Sequence, residues 1–276
     1  VSSIVAASSN HCHDCGFILR EPAEVYHAQA KEYLSSHQLA DFRKCPLLYL
    51  RKRQGLIADE DRPAYQLGRA IHVLVLEGRD RFEEEFAVGG PINPRTGEMF
   101  GASTKAFAEW AEAQGRPVLT VSQLDLVENI ADGVRAQGIA TDLLSEGVPE
   151  GVVRAKYRDI PCQTRLDWFD PLRGICDLKT CDDLTWFEAD AKRYGYGHQM
   201  AFYRAVVAEV IGVYVPVHLI AVEKKEPYRC GVWRMDASVL ANAQKENEAA
   251  IERLKRCIAT DTWPSGYEEV RLFDCI

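Results

Sequence analysis

Two aspartates and a lysine carry the densest chemistry of this chain. Asp167 stands in Arg165-Leu-Asp167-Trp, and Asp177-Leu178-Lys179-Thr180 follows shortly after. Two carboxylates brought together repel unless a cation lies between them. Hard oxygen ligands of this kind suit Mg²⁺ or Mn²⁺. A lysine beside them can orient or deprotonate a water, or stabilise charge developing on a phosphate. That set is what hydrolysis of a phosphodiester needs. A bare Asp-x-Lys is also common in solvated hairpins, so the surrounding residues must decide.

The elements around these residues would bring them together. An apolar run starts at Val152 and ends near Tyr157, and Asp159-Ile-Pro161 is a turn signal. Gln163 to Phe169 alternates, with Thr164, Leu166 and Trp168 expected on one side and Arg165 and Asp167 on the other. Pro171 to Gly174 is a second turn, and Gly174 to Thr180 a third run. Period two puts Asp177 and Lys179 on one face and Leu178 on the opposite one. A hairpin then sets Asp167 beside Asp177. Tyr194 to Ile211 reads as a helix with Phe202, Ala205, Val206 and Val210 buried, and Gln199 and Tyr203 share one of its faces.

At these residues the sequence resembles the PD-(D/E)xK nuclease superfamily, in its RecB-like branch, and is most similar there to the RecE-type (exodeoxyribonuclease VIII-like) phage and prophage exonucleases. The matching pieces run in the family's order: Tyr26-His27; Leu34-Ser-Ser36; Cys45-Pro46 with Tyr49; Gly68-Arg-Ala-Ile-His72 with Leu76-Glu77; Arg81-Phe82 to Phe86; Thr104-Lys105; Glu150; Asp167; Asp177-Leu-Lys179-Thr180; and Gln199 to Tyr203. The resemblance implies that Asp167 and Asp177 ligate Mg²⁺ or Mn²⁺ with the Leu178 carbonyl, that Lys179 is the catalytic lysine, and that His72 ligates or meets a second metal. It implies that Glu150 supports the metal site, and that Gln199 and Tyr203 contact the acidic cluster or a DNA phosphate. It also implies an exonuclease on linear double-stranded DNA ends, a ring-like homo-oligomer, and a single-strand annealing partner in recombination. The expected fold class is α/β: a restriction-endonuclease-like mixed sheet of four or five strands flanked by helices, with helical N-terminal segments. Residues 1–25 read as a tail and 26–276 as one nuclease domain.

Other stretches read more simply. Ser35 or Ser36 caps a helix to about Gln54, with a kink or break at Pro46. Its Arg51-Lys52-Arg53 run, with Arg165, offers contacts to DNA phosphates or a solvated surface. Tyr65 to Glu77 is the next helix, and Gly68, one turn before His72, leaves room for a backbone or metal to approach. Asp59 to Pro63 is a polar linker, and Gly89 to Gly101 a loop near the DNA entrance or a plain surface connection. Ser103 to Ala113 and Ser122 to Ser145 read as helices, the second with a capping signal at Ser122 and Asp125. Val213 to Val222 and Tyr228 to Met235 are strand-like, and Asp236 to Ala259 is a long helix.

Composition narrows the class. A 47% hydrophobic content supports a core, and no apolar run reaches membrane-span length, so a soluble, cytoplasmic protein without membrane contact is expected. Residues 1–10 have no basic start, unlike a signal peptide. The nine cysteines then belong in a reducing compartment as thiols. Cys12 and Cys15 have zinc-knuckle spacing but lack a second pair; Cys45 reads as a core residue, and Cys230, Cys257 and Cys275 are too spread for a usual iron–sulfur pattern. A net charge of −8 repels a polyanion at long range, so any DNA contact must come from local basic stretches such as Arg51 to Arg53, Lys224-Lys225 and Arg253 to Arg256. The competing readings are a Cas4-like or helicase-associated nuclease of the same fold, and a catalytically silent DNA-binding or assembly protein.

Overall fold

The computed structural model of the chain describes residues 16–18, 20–58 and 63–272. The strands in chain order are β1 (Gly16–Ile18), β2 (Ala87–Val88), β3 (Val118–Leu119), β4 (Val148–Tyr157), β5 (Ile160–Asp170), β6 (Gly174–Cys181), β7 (Val217–Glu223) and β8 (Cys230–Arg234). Six form one mixed sheet in the order β1-β4-β5-β6-β7-β8, while β2 and β3 make a separate parallel pair. The first hairpin turns at Arg158 and Asp159, both with positive φ, which matches the twist of the strands it joins. Strands β6 and β7 run parallel, so the chain must cross over the sheet between them. The sheet exceeds the expected four or five strands because β1, within the segment read as a tail, pairs antiparallel with β4.

Helices cover both faces. They are α1 (Ala23–Ala28), α2 (Ser36–Lys44), α3 (Pro46–Arg53), α4 (Pro63–His72), α5 (Arg79–Glu85), α6 (Lys105–Ala113), α7 (Val121–Ala136), α8 (Gly138–Leu143), α9 (Phe187–Arg193), α10 (Tyr196–Ile211) and α11 (Ala237–Thr260). On one face α2, α3, α10 and α11 pack Leu39, Phe42, Phe202 and Ile251 against Val153, Leu166 and Leu219. On the other, α4, α5, α7 and α8 pack Ile71, Phe82 and Ile130 against Trp168, Leu178 and Ile220. The expected α/β layering is therefore present.

Several local expectations change. The helix from Ser35 is two helices: Cys45 is extended, as a residue before proline must be, and Pro46 restarts the chain as α3. Ser35 is the N-cap of α2, in a capping box with Gln38. Cys45 is only half-buried; its sulfur caps α3 by accepting from the Leu48 N–H at 3.4 Å. After His72, α4 passes into a π-helical turn over Val73–Glu77, a form that often marks functional sites. The capping box of α7 belongs to Thr120 and Gln123, not Ser122 and Asp125, and a break at Gln137 separates α8. Val210 is 37% exposed; Val207 takes the buried position. Leu166 and Trp168 do not share a side: they sit in opposite clusters, so the alternation of β5 slips at Asp167.

Cys230 and Cys257 pack on opposite faces of the sheet, so they cannot share a metal cluster. Cys12, Cys15, Cys275 and most of the Asp59 to Pro63 linker lie outside the described residues. No described helix is long and apolar enough to cross a membrane.

The N-terminal segment is fastened by a buried ion pair. Arg154 on β4 makes two bonds to Glu21, at 2.6 and 2.5 Å, and lies over the ring of Tyr33. Gln163 Nε2 donates to the Tyr26 carbonyl at 3.1 Å. These contacts hold α1 beside the strands that carry Glu150 and Asp167.

The turn into β6 is equally constrained. Gly174 has φ +92°, and a Cβ there would come within 2.0 Å of the Pro216 carbonyl oxygen. Gly138, at the start of α8, has nothing within 4 Å of that position. Gly174→Ala should therefore lower the denaturant midpoint of unfolding sharply, while Gly138→Ala leaves it unchanged or raises stability by about 0.4–1 kcal/mol. Loss of the capping box in Ser35→Ala should cost about 1 kcal/mol in the same measurement.

Candidate active site

Glu150 lies on β4 with φ 55°, opposite Asp167 on β5, flanked by the register pairs Pro149↔Trp168 and Gly151↔Leu166. Strands β5 and β6 pair only from Trp168↔Cys176 to Asp170↔Gly174. Beyond that they part, and the Leu178 N–H has no backbone partner on β5. Asp167 Oδ2 accepts that N–H at 2.8 Å. The acid thus stands in the opening between the strands. His72, at the end of α4, approaches from the side, its Nδ1 3.5 Å from Asp167 Oδ2, and it also makes a backbone hydrogen bond with Leu178.

Asp177 and Lys179 lie on one face of β6 and Leu178 packs into the core on the other, as period two requires. Asp177 is 1% exposed. The Lys179 ammonium is 2.6 Å from its Oδ2, yet neither oxygen of Asp177 receives a well-directed hydrogen bond. The contact is an ion pair with acceptor capacity left over. Arg165 pairs with Glu150 at 2.8 Å. On α10, Gln199 Nε2 donates to the Tyr203 hydroxyl at 3.0 Å. A cavity of about 1090 Å³ opens over the group, lined by His72, Glu150, Arg165, Asp167, Lys179, Gln199 and Tyr203.

The electrostatics follow from burial. Desolvation raises the Asp177 carboxyl to about 6, against the pull of Lys179. Glu150 and Asp167 are both raised, chiefly by burial; the Asp167 charge adds to the effect on Glu150, while Lys179 and the Leu178 N–H oppose it at Asp167. Burial and then Lys179 push His72 down to about 4, so it stays neutral with a lone pair for a ligand. Lys179 behaves oppositely: burial pushes it down, but Asp177 and Asp167 outweigh burial, and it is raised and charged.

A metal fits this donor set. One ligand atom each from His72, Glu150 and Asp167 lies within 4.8 Å of the others. The neutral His72 offers a cation a lone pair, whereas Asp177 lies outside this trio with its Oδ2 held by Lys179 and acceptor capacity left over. Glu150 stands closer to this group than a purely supporting residue would.

Not every expected residue is here. Arg51, Lys52 and Arg53 do not line the cavity; Lys52 pairs with Asp41 at 2.9 Å and Arg53 bonds Tyr49. The 89–101 loop and Thr104-Lys105 are also away from it. A Cβ on Gly68 would meet nothing within 4 Å, so no backbone approaches there; the glycine keeps the cavity wall low. In place of the basic run, Arg20, Arg43, Arg69 and Arg81 line the cavity. Arg43 projects from α2 and carried no distinguishing signal among its basic neighbours. Arg69, three residues before His72, could have been found from helical spacing.

The fold has a counterpart among solved structures. A crystal structure of the "Putative exonuclease" of Eubacterium rectale overlays with a TM-score of 0.67 at 17% identity, covering 93% of this chain and 96% of that one. LHK-Exo in complex with dAMP overlays far more loosely, with a TM-score of 0.35 at 14% identity over 87% of this chain and 95% of that one. No curated protein matches in sequence. Residues 35–274 match the family described as a PDDEXK-like domain of unknown function (DUF3799). With that match spanning β2 to β8, the acids and the lysine, the chain belongs to this family and so to the PD-(D/E)xK nuclease superfamily.

Proposed function

We propose that this chain is a metal-dependent deoxyribonuclease, an exonuclease acting on the ends of linear double-stranded DNA in the manner of the RecE-type enzymes. The observation that carries the reading is the meeting of Asp167 and a charged Lys179 at one cavity, with the buried Asp177 2.6 Å from the lysine and Leu178 held by the Asp167 carboxylate.

Asp167, Asp177, Glu150 and His72 are the residues that would hold Mg²⁺ or Mn²⁺. When bound, such an ion supplies Lewis-acid stabilisation of phosphoryl oxygens and a water made more acidic. The protein's own part is more specific. The Asp167 carboxylate fixes Leu178, and through it the direction of Asp177 and Lys179. Lys179 presents a positive charge to the phosphate and can orient the attacking water. Arg165, beside Glu150, and Arg43, across the cavity, are the cations to which flanking phosphates would bind. Gln199 and Tyr203 close the helix side of the cluster. The reading takes the chain as one nuclease domain, with β1 and Glu21 part of it ahead of the expected start at residue 26. It also includes a homo-oligomer with a basic interior and a single-strand annealing partner. An inward-facing basic surface would reconcile a net charge of −8 with a polyanionic substrate.

The test is cleavage of end-labelled linear duplex and of closed circular DNA, with Mg²⁺, Mn²⁺ or EDTA. Loss of linear DNA alone, dependent on metal, is expected, and the labelled end gives the polarity. Lys179→Ala should lower kcat by about 10²–10⁴-fold, and Asp177→Ala should abolish the metal-dependent rate. Cutting of circles would point to an endonuclease; DNA binding without cleavage under any metal would favour the silent binding protein.

A second measurement reads the metal without activity. Mn²⁺ at about one hundred times its Kd should stabilise the fold by about 2.7 kcal/mol. Asp167→Asn should remove that gain in thermal unfolding. An equal gain in the variant would place the ion elsewhere.

A further inference from the structure

Lys179 has a second neighbour besides Asp177. Its ammonium lies over the ring of Tyr196, 4.9 Å from the centroid. Tyr196 is the first residue of α10, and Gly195 before it turns the chain with φ 72°. The ring does not float. It packs against Phe187 at 6.3 Å, and Phe187, 2% exposed, packs on Trp233 of β8 at 4.5 Å. A line of aromatic rings therefore runs from the far strand of the sheet to the lysine.

A lysine needs such support more than an arginine does. Its charge sits at the end of a flexible four-carbon stem and is strongly hydrated. Asp177 alone fixes the distance on one side, but that carboxylate is also a candidate metal ligand. A further acid beside Lys179 would add negative charge to a group already holding Glu150, Asp167 and Asp177. A ring face attracts the cation through its quadrupole and adds no formal charge. It leaves the ammonium protons available to a water or a phosphate oxygen.

We propose that Tyr196 is a positioning residue for Lys179, its ring face confining the ammonium beside Asp177 so that the lysine points into the cavity. The inference rests on the nuclease reading and adds a determinant to it. Tyr196 acts here through its ring, not its hydroxyl, and touches no reacting atom.

The experiment pairs kinetics on linear duplex DNA with NMR of the full chain. The Lys179 ε-methylene signal, assigned by its loss in Lys179→Arg, should carry an upfield ring-current shift in the wild type. Tyr196→Leu should lose the shift and lower kcat by about 5- to 30-fold with KM little changed. Tyr196→Phe should recover both. Tyr196→Met serves as a second ring-less variant if the leucine variant fails to fold. A Tyr196→Phe enzyme as slow as Tyr196→Leu would overturn the proposal and assign the role to the hydroxyl. A folded Tyr196→Leu enzyme with full kcat would overturn it as well. A wild type that cleaves DNA but shows no ring-current shift sinks the positioning role alone. A wild type that shows the shift but cleaves nothing sinks the nuclease reading, and the catalytic meaning of the contact with it.

Discussion

The bond from the Leu178 N–H to Asp167 is the interaction on which the rest of the site depends. Where β5 and β6 stop pairing, a buried backbone donor is left without its ladder partner, and leaving it unmade would cost about 1–3 kcal/mol. A side chain replaces the missing strand. That substitution does two things with one bond. It ends the pairing of β5 and β6 without an orphan, and it sets an acid in the opening between them. Because Leu178 is thereby fixed with its side chain in the α4–α7 core, its neighbours Asp177 and Lys179 must face the other way.

Such an arrangement stores negative charge where water is scarce. Burial raises all three carboxyls, and the Asp167 charge raises the other two further. The chain offsets this with its own cations, Lys179 against Asp177 and Arg165 against Glu150. Buried charges persist only when paired, so these cations are part of what lets the acids be there at all. His72 contributes differently: it is kept neutral by the same burial and by Lys179, and so adds a donor atom without adding charge.

Much of this was legible in the sequence because the site is local. Period two alone set Asp177 and Lys179 on one face, and the turn signals at Asp159 and at Pro171 to Gly174 set the two hairpins. What escaped was whatever breaks a period. The positive φ of Glu150 and the slip at Asp167 put Trp168 and Leu166 in opposite cores, and no alternation rule can see that. The π-helical turn after His72 is likewise a tertiary compromise laid over an ordinary helical pattern. The basic run Arg51 to Arg53 misled for another reason: a cluster in sequence says nothing about which way a short helix faces, and α3 turns it away from the cavity.

The cavity's charges bear on how a polyanion would enter. Four arginines besides Arg165 line it, but they are not equivalent. Arg69 and Arg81 share Glu85, and Arg81 also meets Glu77 and Glu84, so the α4–α5 wall is close to neutral. Arg43 bonds a neutral side chain, Asn247, and is offset less directly, by burial and by the nearby charge of Glu246. The arginines are therefore offset to different degrees, Arg69 and Arg81 by direct carboxylate pairs and Arg43, which has room beside Gly195, by the more distant Glu246. On the proposed nuclease reading, a net charge of −8 works against the approach of a polyanion at long range, so attraction has to act locally, inside the cavity, and to weaken with salt.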